Sequence, residues 1–183
     1  MKKFILGKKI EMSQMFLDDG KVAPVTLIEA GPITVKMIRT KERDGYAAVQ
    51  VSFGKHTREF KPKDITVNSG DTIDVSLFQE GEKVNISGIT KGHGFQGVVK
   101  RHGFHGASKT HGTKHAHRQP GSISGGGRAG GRVSKGLRMA GHMGQDRVTI
   151  KNLKIVKIIP EKNLLAVKGA VPGPRGTLLE VRG

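Results

Sequence analysis

Apolar and polar positions along the first ninety residues fall into short runs separated by turn residues. Residues 22–29 are β-branched and apolar after Asp19-Gly20, residues 33–38 follow Gly31-Pro32, and residues 46–53 alternate apolar with small or polar after Asp44-Gly45. Such runs, bounded by Gly, Pro and Asp, predict strands. Residues 72–78 and 84–89, each preceded by Gly plus an acid, are further candidates. Strands so closely spaced, without helical periods of about 10–15 residues between them, predict an antiparallel barrel or sandwich rather than an α/β fold.

The last 37 residues return to the same style, with strands expected at 147–150, 153–159 and 164–168 and a turn at 160–163. The simplest architecture is a discontinuous β domain from residues 1–90 and 147–183. Residues 91–146 leave it and come back as one extended loop. Loops beyond roughly 15 residues without structure of their own are functional or disordered.

Charge explains what that loop is for. Between Glu82 and Asp146 lie 63 consecutive positions without an acid, holding eleven Lys and Arg and seven His. The whole chain carries +17, of which the other 120 positions account for +6. A segment this cationic and this poor in large apolar side chains cannot offset its own ordering entropy by burial, so it orders against a polyanion or not at all. Lys100, Arg101, Lys109, Lys114, Arg118, Arg128, Arg132, Lys135 and Arg138 recur every few residues, which suits phosphates strung along a backbone rather than one compact ligand. Fifteen Gly among residues 91–145 allow close backbone approach, and Phe95, Phe104 and the His rings offer faces for unpaired bases. The free loop is expected to be unstructured.

Other chemistries find little support. Residues 92–99 satisfy both GxGxxG and GxGxxGxV, but no acid follows about 20 residues later for a ribose, and neither HRD nor DFG occurs. His111, His115 and His117 lack a Cys partner and sit beside Lys114 and Arg118, which repel a cation. There is no P-loop, GxSxG or HExxH, so no catalytic residue, metal, cofactor or small-molecule substrate is expected. Zero cysteines fit a reducing compartment, and no apolar run approaches the roughly 20 residues of a membrane span, so no membrane role and a cytoplasmic site are expected. The alternatives are a non-specific nucleoid or membrane-surface protein, which leaves the β flanks unexplained, and an enzyme whose groups converge only on folding.

Five blocks in series are recognisable: KGHGFQGVVKRHGF (91–104), THG (110–112), HRQPGSI (117–123), GRVSKG (131–136) and MAGHMG (139–144). With LGKKI (6–10), MF (15–16), DGY (44–46) and NLLAVKGAVPG (163–173) on the flanks, the chain closely resembles the bacterial-type large-subunit ribosomal protein L3 (uL3) family over nearly its whole length. The resemblance implies a mainly β protein, a closed Greek-key β-barrel of the translation-protein type with a long, Gly/His/basic, mostly irregular extension. It implies a structural constituent of the large subunit that binds 23S rRNA, acts early in assembly and extends toward the peptidyl transferase centre. Neighbouring proteins L14 and L19, with L13 and L17 as further candidates, are the implied partners.

The residues so assigned to rRNA are Lys8 and Lys9 of the opening motif, then Lys91, His93, Phe95, Lys100, Arg101, His102, Lys109, His111, Lys114, His117, Arg118, Arg128, Arg132, Lys135, Arg138 and His142. Ser122, Ser124, Gly127, Arg128 and Gly131 are the implied tip near the peptidyl transferase centre. Three departures from the family pattern stand out. Glu11 replaces a usual Gly, the chain is short around 53–60, and no Gln lies between Ile123 and Val133 to be methylated.

Overall fold

The computed structural model describes residues 3–17, 20–61, 67–123 and 130–183. In chain order the elements are β1 (Phe4–Phe16), β2 (Val22–Ala30), β3 (Ile33–Arg39), the one-turn helix α1 (Lys41–Asp44), β4 (Ala48–Phe53), β5 (His56–Phe60) and β6 (Thr72–Ile73). Then come β7 (Lys83–Ile89), β8 (Gly94–Gln96), the short helix α2 (Val98–His102), β9 (Gly141–Met143), β10 (Arg147–Ile159), β11 (Leu164–Lys168) and β12 (Leu178–Arg182). Six strands close into an antiparallel barrel in the order β1-β12-β7-β10-β11-β2. Closure gives each of the six strands a neighbour on both sides, and the order is not that of a simple meander. The expected mainly β class and closed barrel are both present.

Alternation along each strand sends one set of side chains inward. Ile5, Ile28, Ile86, Ile155, Leu165 and Leu179 are fully buried in one cluster. Each contributes about 1.5–3 kcal/mol relative to exposure. A four-stranded sheet, β5-β4-β3-β6, shares this core through Val35, Val49 and Val51, and Phe60 of β5 stacks on Phe4 with ring centroids 4.3 Å apart.

Local chemistry moved several expected boundaries. The strand expected at 72–78 is only Thr72–Ile73, because the Asp74 carboxylate accepts the Ser76 N–H at 3.0 Å and turns the backbone into a 3-10 turn at Val75–Leu77. The strand expected from residue 46 begins at Ala48, after α1 ends on Gly45 in the left-handed region (φ 76°). The strands expected at 147–150 and 153–159 are one strand, β10. Its register against β7 shifts between Ile150 and Leu153, where Asn152 (φ 58°) donates its N–H to Asn85 Oδ1 at 3.0 Å. The short connection at 53–60 is a hairpin, with Phe53 paired to His56 across Gly54-Lys55. Strands β1, β5, β8, β9 and β12 were not expected at all.

The chain divides into two units, Met1–Lys91 with Asp146–Gly183, and Gly92–Gln145. The barrel and the four-stranded sheet form the first. Its two chain crossings are tied together: Thr90 N–H donates to the Asp146 carbonyl at 2.9 Å, and Asp146 N–H donates to Thr90 Oγ1 at 3.2 Å.

Candidate nucleic-acid interface

The unit Gly92–Gln145 is held by very little of its own. Among its described residues Val98 is the one buried apolar side chain, while Phe95, Ile123, Val133 and Leu137 are exposed. Near the two ends of this segment of chain β8 pairs with β9, setting Phe95 opposite His142, and His93 N–H donates to the Met143 carbonyl at 2.8 Å. Gly97 starts α2 and Gly103 ends it at φ 73°, where its N–H reaches the Val98 and Val99 carbonyls. Arg101 Nη1 donates to the Met139 carbonyl at 2.7 Å, and His102 Nε2 lies 3.0 Å from the same oxygen. Arg101 and His102 therefore tie the outgoing chain to the returning one as well as adding charge.

Elsewhere in this unit, Gly106 and His117 are in close contact. A Cβ on Gly106 would lie 1.9 Å from the His117 carbonyl oxygen, and Gly106 has φ 73°, so only glycine fits. His117 Nδ1 is buried without a hydrogen-bond partner, which leaves Nε2 as the ring nitrogen for any outside partner.

The remaining assigned cations of this unit are spread rather than gathered. Lys100, Lys109, Lys114, Arg118, Arg132, Lys135 and Arg138 are all exposed, as are His93, His111 and His142, and Phe95 is 76% exposed. The span 92–145 contains no acid, so none of these charges is neutralised from within. An array of exposed cations and rings on a backbone without a core is chemically fit to lie along a phosphate chain. Of the implied tip, Ser122 and Gly131 are described, Gly131 with φ 75°; Ser124, Gly127 and Arg128 lie outside the described residues.

The three assigned lysines of the first unit differ. Lys8 and Lys91 are exposed. Lys9 Nζ donates to the Val171 and Gly173 carbonyls at 2.9 and 2.8 Å, so two of its three protons are spent inside the protein. Burial pushes this ammonium below the ordinary lysine range, and the charge of Lys91 pushes it the same way. Glu11 sits at the β1 bulge, where the register against β2 shifts between Lys9 and Glu11, and its carboxylate lies 3.4 Å from Arg175 Nη2. Both groups are well exposed, so this pair adds little stability.

Sequence reasoning passed over a cluster on the first unit. Lys3, Lys61, Arg147, Lys151 and Arg182 ring a cavity of about 340 Å³. The available signal was a period of two, Arg147-x-Thr149-x-Lys151, which places these side chains on one strand face.

The family model for ribosomal protein L3 matches residues 32–163. The chain is 49% identical to a large ribosomal subunit protein uL3 of Dehalococcoides mccartyi, covering 97% of this chain and 96% of that one. It is 48% identical to the uL3 of Herpetosiphon aurantiacus (97% and 94% covered) and 47% identical to that of Finegoldia magna (98% and 97% covered). The first of these alignments runs over 198 positions against 183 in the whole chain, so that relative carries residues with no counterpart here.

Proposed function

Since this chain belongs to the ribosomal protein L3 family, a family of structural, non-enzymatic constituents of the large ribosomal subunit, we propose that it binds 23S rRNA through residues 91–146. The loop runs toward the peptidyl transferase centre, and the protein acts early in subunit assembly, in the cytoplasm, beside L14 and L19. The observation that carries this reading is the acid-free unit at 92–145, which among its described residues buries one apolar side chain, exposes most of its cations and gives them no internal counter-charge. Its mechanism is electrostatic: phosphate neutralisation releases condensed counterions, and the Gly-rich backbone follows the surface it lies on. Ordering the unit costs conformational entropy that only the polyanion offsets, which suits a component placed as the rRNA itself folds.

Titrating the full chain into large-subunit rRNA at several salt concentrations tests this. If six cations make phosphate contacts, the slope of log affinity against log salt is about −4 to −5. A slope near zero overturns the reading.

A further inference from the structure

We propose that the outer face of the barrel across β12, β7 and β10 is a second anion site, a pocket that takes a backbone phosphate of the RNA. This rests on the RNA-binding reading above and adds a contact on the first unit that uses none of the residues assigned so far. Registers define the floor. Glu180 pairs with Ser87 and Ser87 with Thr149, so these three residues form a row across adjacent strands, while their neighbours Ile86 and Val181 point into the core. One step along, Arg182 pairs with Asn85, and Arg147 and Lys151 flank Thr149 at the strand period, on the same outer face.

The chemistry of the floor and rim fits phosphate. Ser87, only 4% exposed, shares a 2.8 Å hydrogen bond with Thr149 Oγ1. One hydroxyl proton serves that bond, and the other remains for an acceptor in the pocket. The stacked Phe4 and Phe60 rings form an apolar wall, and among the described residues no Asp or Glu side chain lines the cavity, which Gly183 also borders. The nearest carboxylates already serve the rim. Glu82 bonds Lys3 Nζ at 2.7 Å, and Glu180, 9% exposed, holds Arg147 at 2.5 Å, Arg182 at 3.0 Å and Arg58 at 3.8 Å. Among the described residues, and counting Arg58, six cations face the side-chain carboxylates of Glu82 and Glu180. A carboxylate shared by three guanidinium groups fixes their positions while leaving a surplus of positive charge, and fixed donors bind an anion without reordering. Glu180 is thus a positioning residue. Lys61, whose ammonium lies 4.6 Å from the centre of the Tyr46 ring, and Lys151 are exposed at the rim, which suits a phosphate carried on a chain better than a small enclosed ion.

The test uses the full chain with Lys61→Gln and Lys151→Gln together, since neither lysine takes part in the Glu82 or Glu180 ion pairs and the barrel keeps its melting temperature. At about 0.7–0.9 per lost phosphate contact, the salt slope for large-subunit rRNA becomes shallower by about 1.4–1.8. A Lys135→Gln/Arg138→Gln protein serves as the comparator in the extension. If only the comparator changes the slope, the pocket is overturned while the RNA reading stands; if the unmodified protein shows no salt slope, the RNA reading itself has failed. Lys151→Cys creates a single thiol in a chain that has none. An iron chelate tethered there and assembled into the large subunit cleaves nearby rRNA if the pocket holds backbone. Absence of cleavage, crosslinking to protein instead, or saturation by inorganic phosphate that leaves rRNA affinity unchanged would each overturn the proposal.

Discussion

The ammonium of Lys9 donates a 2.8 Å hydrogen bond to the carbonyl oxygen of Gly173, joining residues 164 positions apart. The same loop is held from the backbone, where Lys9 N–H donates to the Thr177 carbonyl and Gly176 N–H donates back to the Lys9 carbonyl. Lys9→Met removes two charge-assisted bonds and leaves two carbonyls wanting donors. A loss of about 2–4 kcal/mol is expected, read from the shift of the denaturant midpoint. An unchanged midpoint would mean that the ammonium matters only for RNA.

Gly173 itself admits no side chain. It has φ 85°, and a Cβ there would meet Thr177 Oγ1 at 2.3 Å and the Ile89 carbonyl oxygen at 2.6 Å. Gly173→Ala combines left-handed strain with overpacking against backbone and costs about 2–4 kcal/mol. Thermal unfolding of the pure protein measures it.

Gly106→Ala acts on the other unit. The methyl group would collide with the His117 carbonyl, separating the 103–107 and 116–118 segments. The barrel's melting temperature is expected to stay within about 1 °C, because the barrel core contains neither residue. Incorporation into large subunits during reconstitution falls several-fold, as seen on sedimentation gradients.

Acid sensitivity has an identifiable source in the four-stranded sheet. Glu59 accepts from Arg39 Nε at 2.7 Å, from the Tyr46 hydroxyl at 2.9 Å and from Gln50 at 3.2 Å. The hydrogen bond from Arg39, then that from Tyr46, holds its carboxyl below the ordinary 4.5. A carboxylate with a depressed folded-state pKa contributes stability that is complete above about 4.5 and is lost as pH falls below that value. Glu59→Gln therefore flattens the acid limb of the stability curve; an identical limb in the two proteins would refute this.

Replacing residues 122–131 by a short Gly-Ser link should leave barrel stability unchanged and slow peptidyl transfer in reconstituted ribosomes, or alter binding of antibiotics at that centre. Ribosomes that match the parent in both assays would show that this segment is not the functional tip.

Local properties were legible in the sequence because charge and alternation need no tertiary context. The acid-free span, the strands expected at 22–29, 33–38, 84–89 and 164–168, each within one residue of its observed ends, and the turn at 160–163 could all be read residue by residue. What only the tertiary structure decided depends on pairing across long separations. Strand β1 is interrupted by Lys8, Lys9 and Glu11, and β12 is Leu-Leu-Glu-Val-Arg; neither has the clean β-branched pattern of a strand signal, yet Phe4 pairs with Arg182 and the two strands close the barrel. Closure then turned Lys9 inward onto a distant loop and brought Arg147, Lys151 and Arg182 together from two strands. A side chain's direction on a closed sheet follows from register, and register is settled by which faces can be buried together.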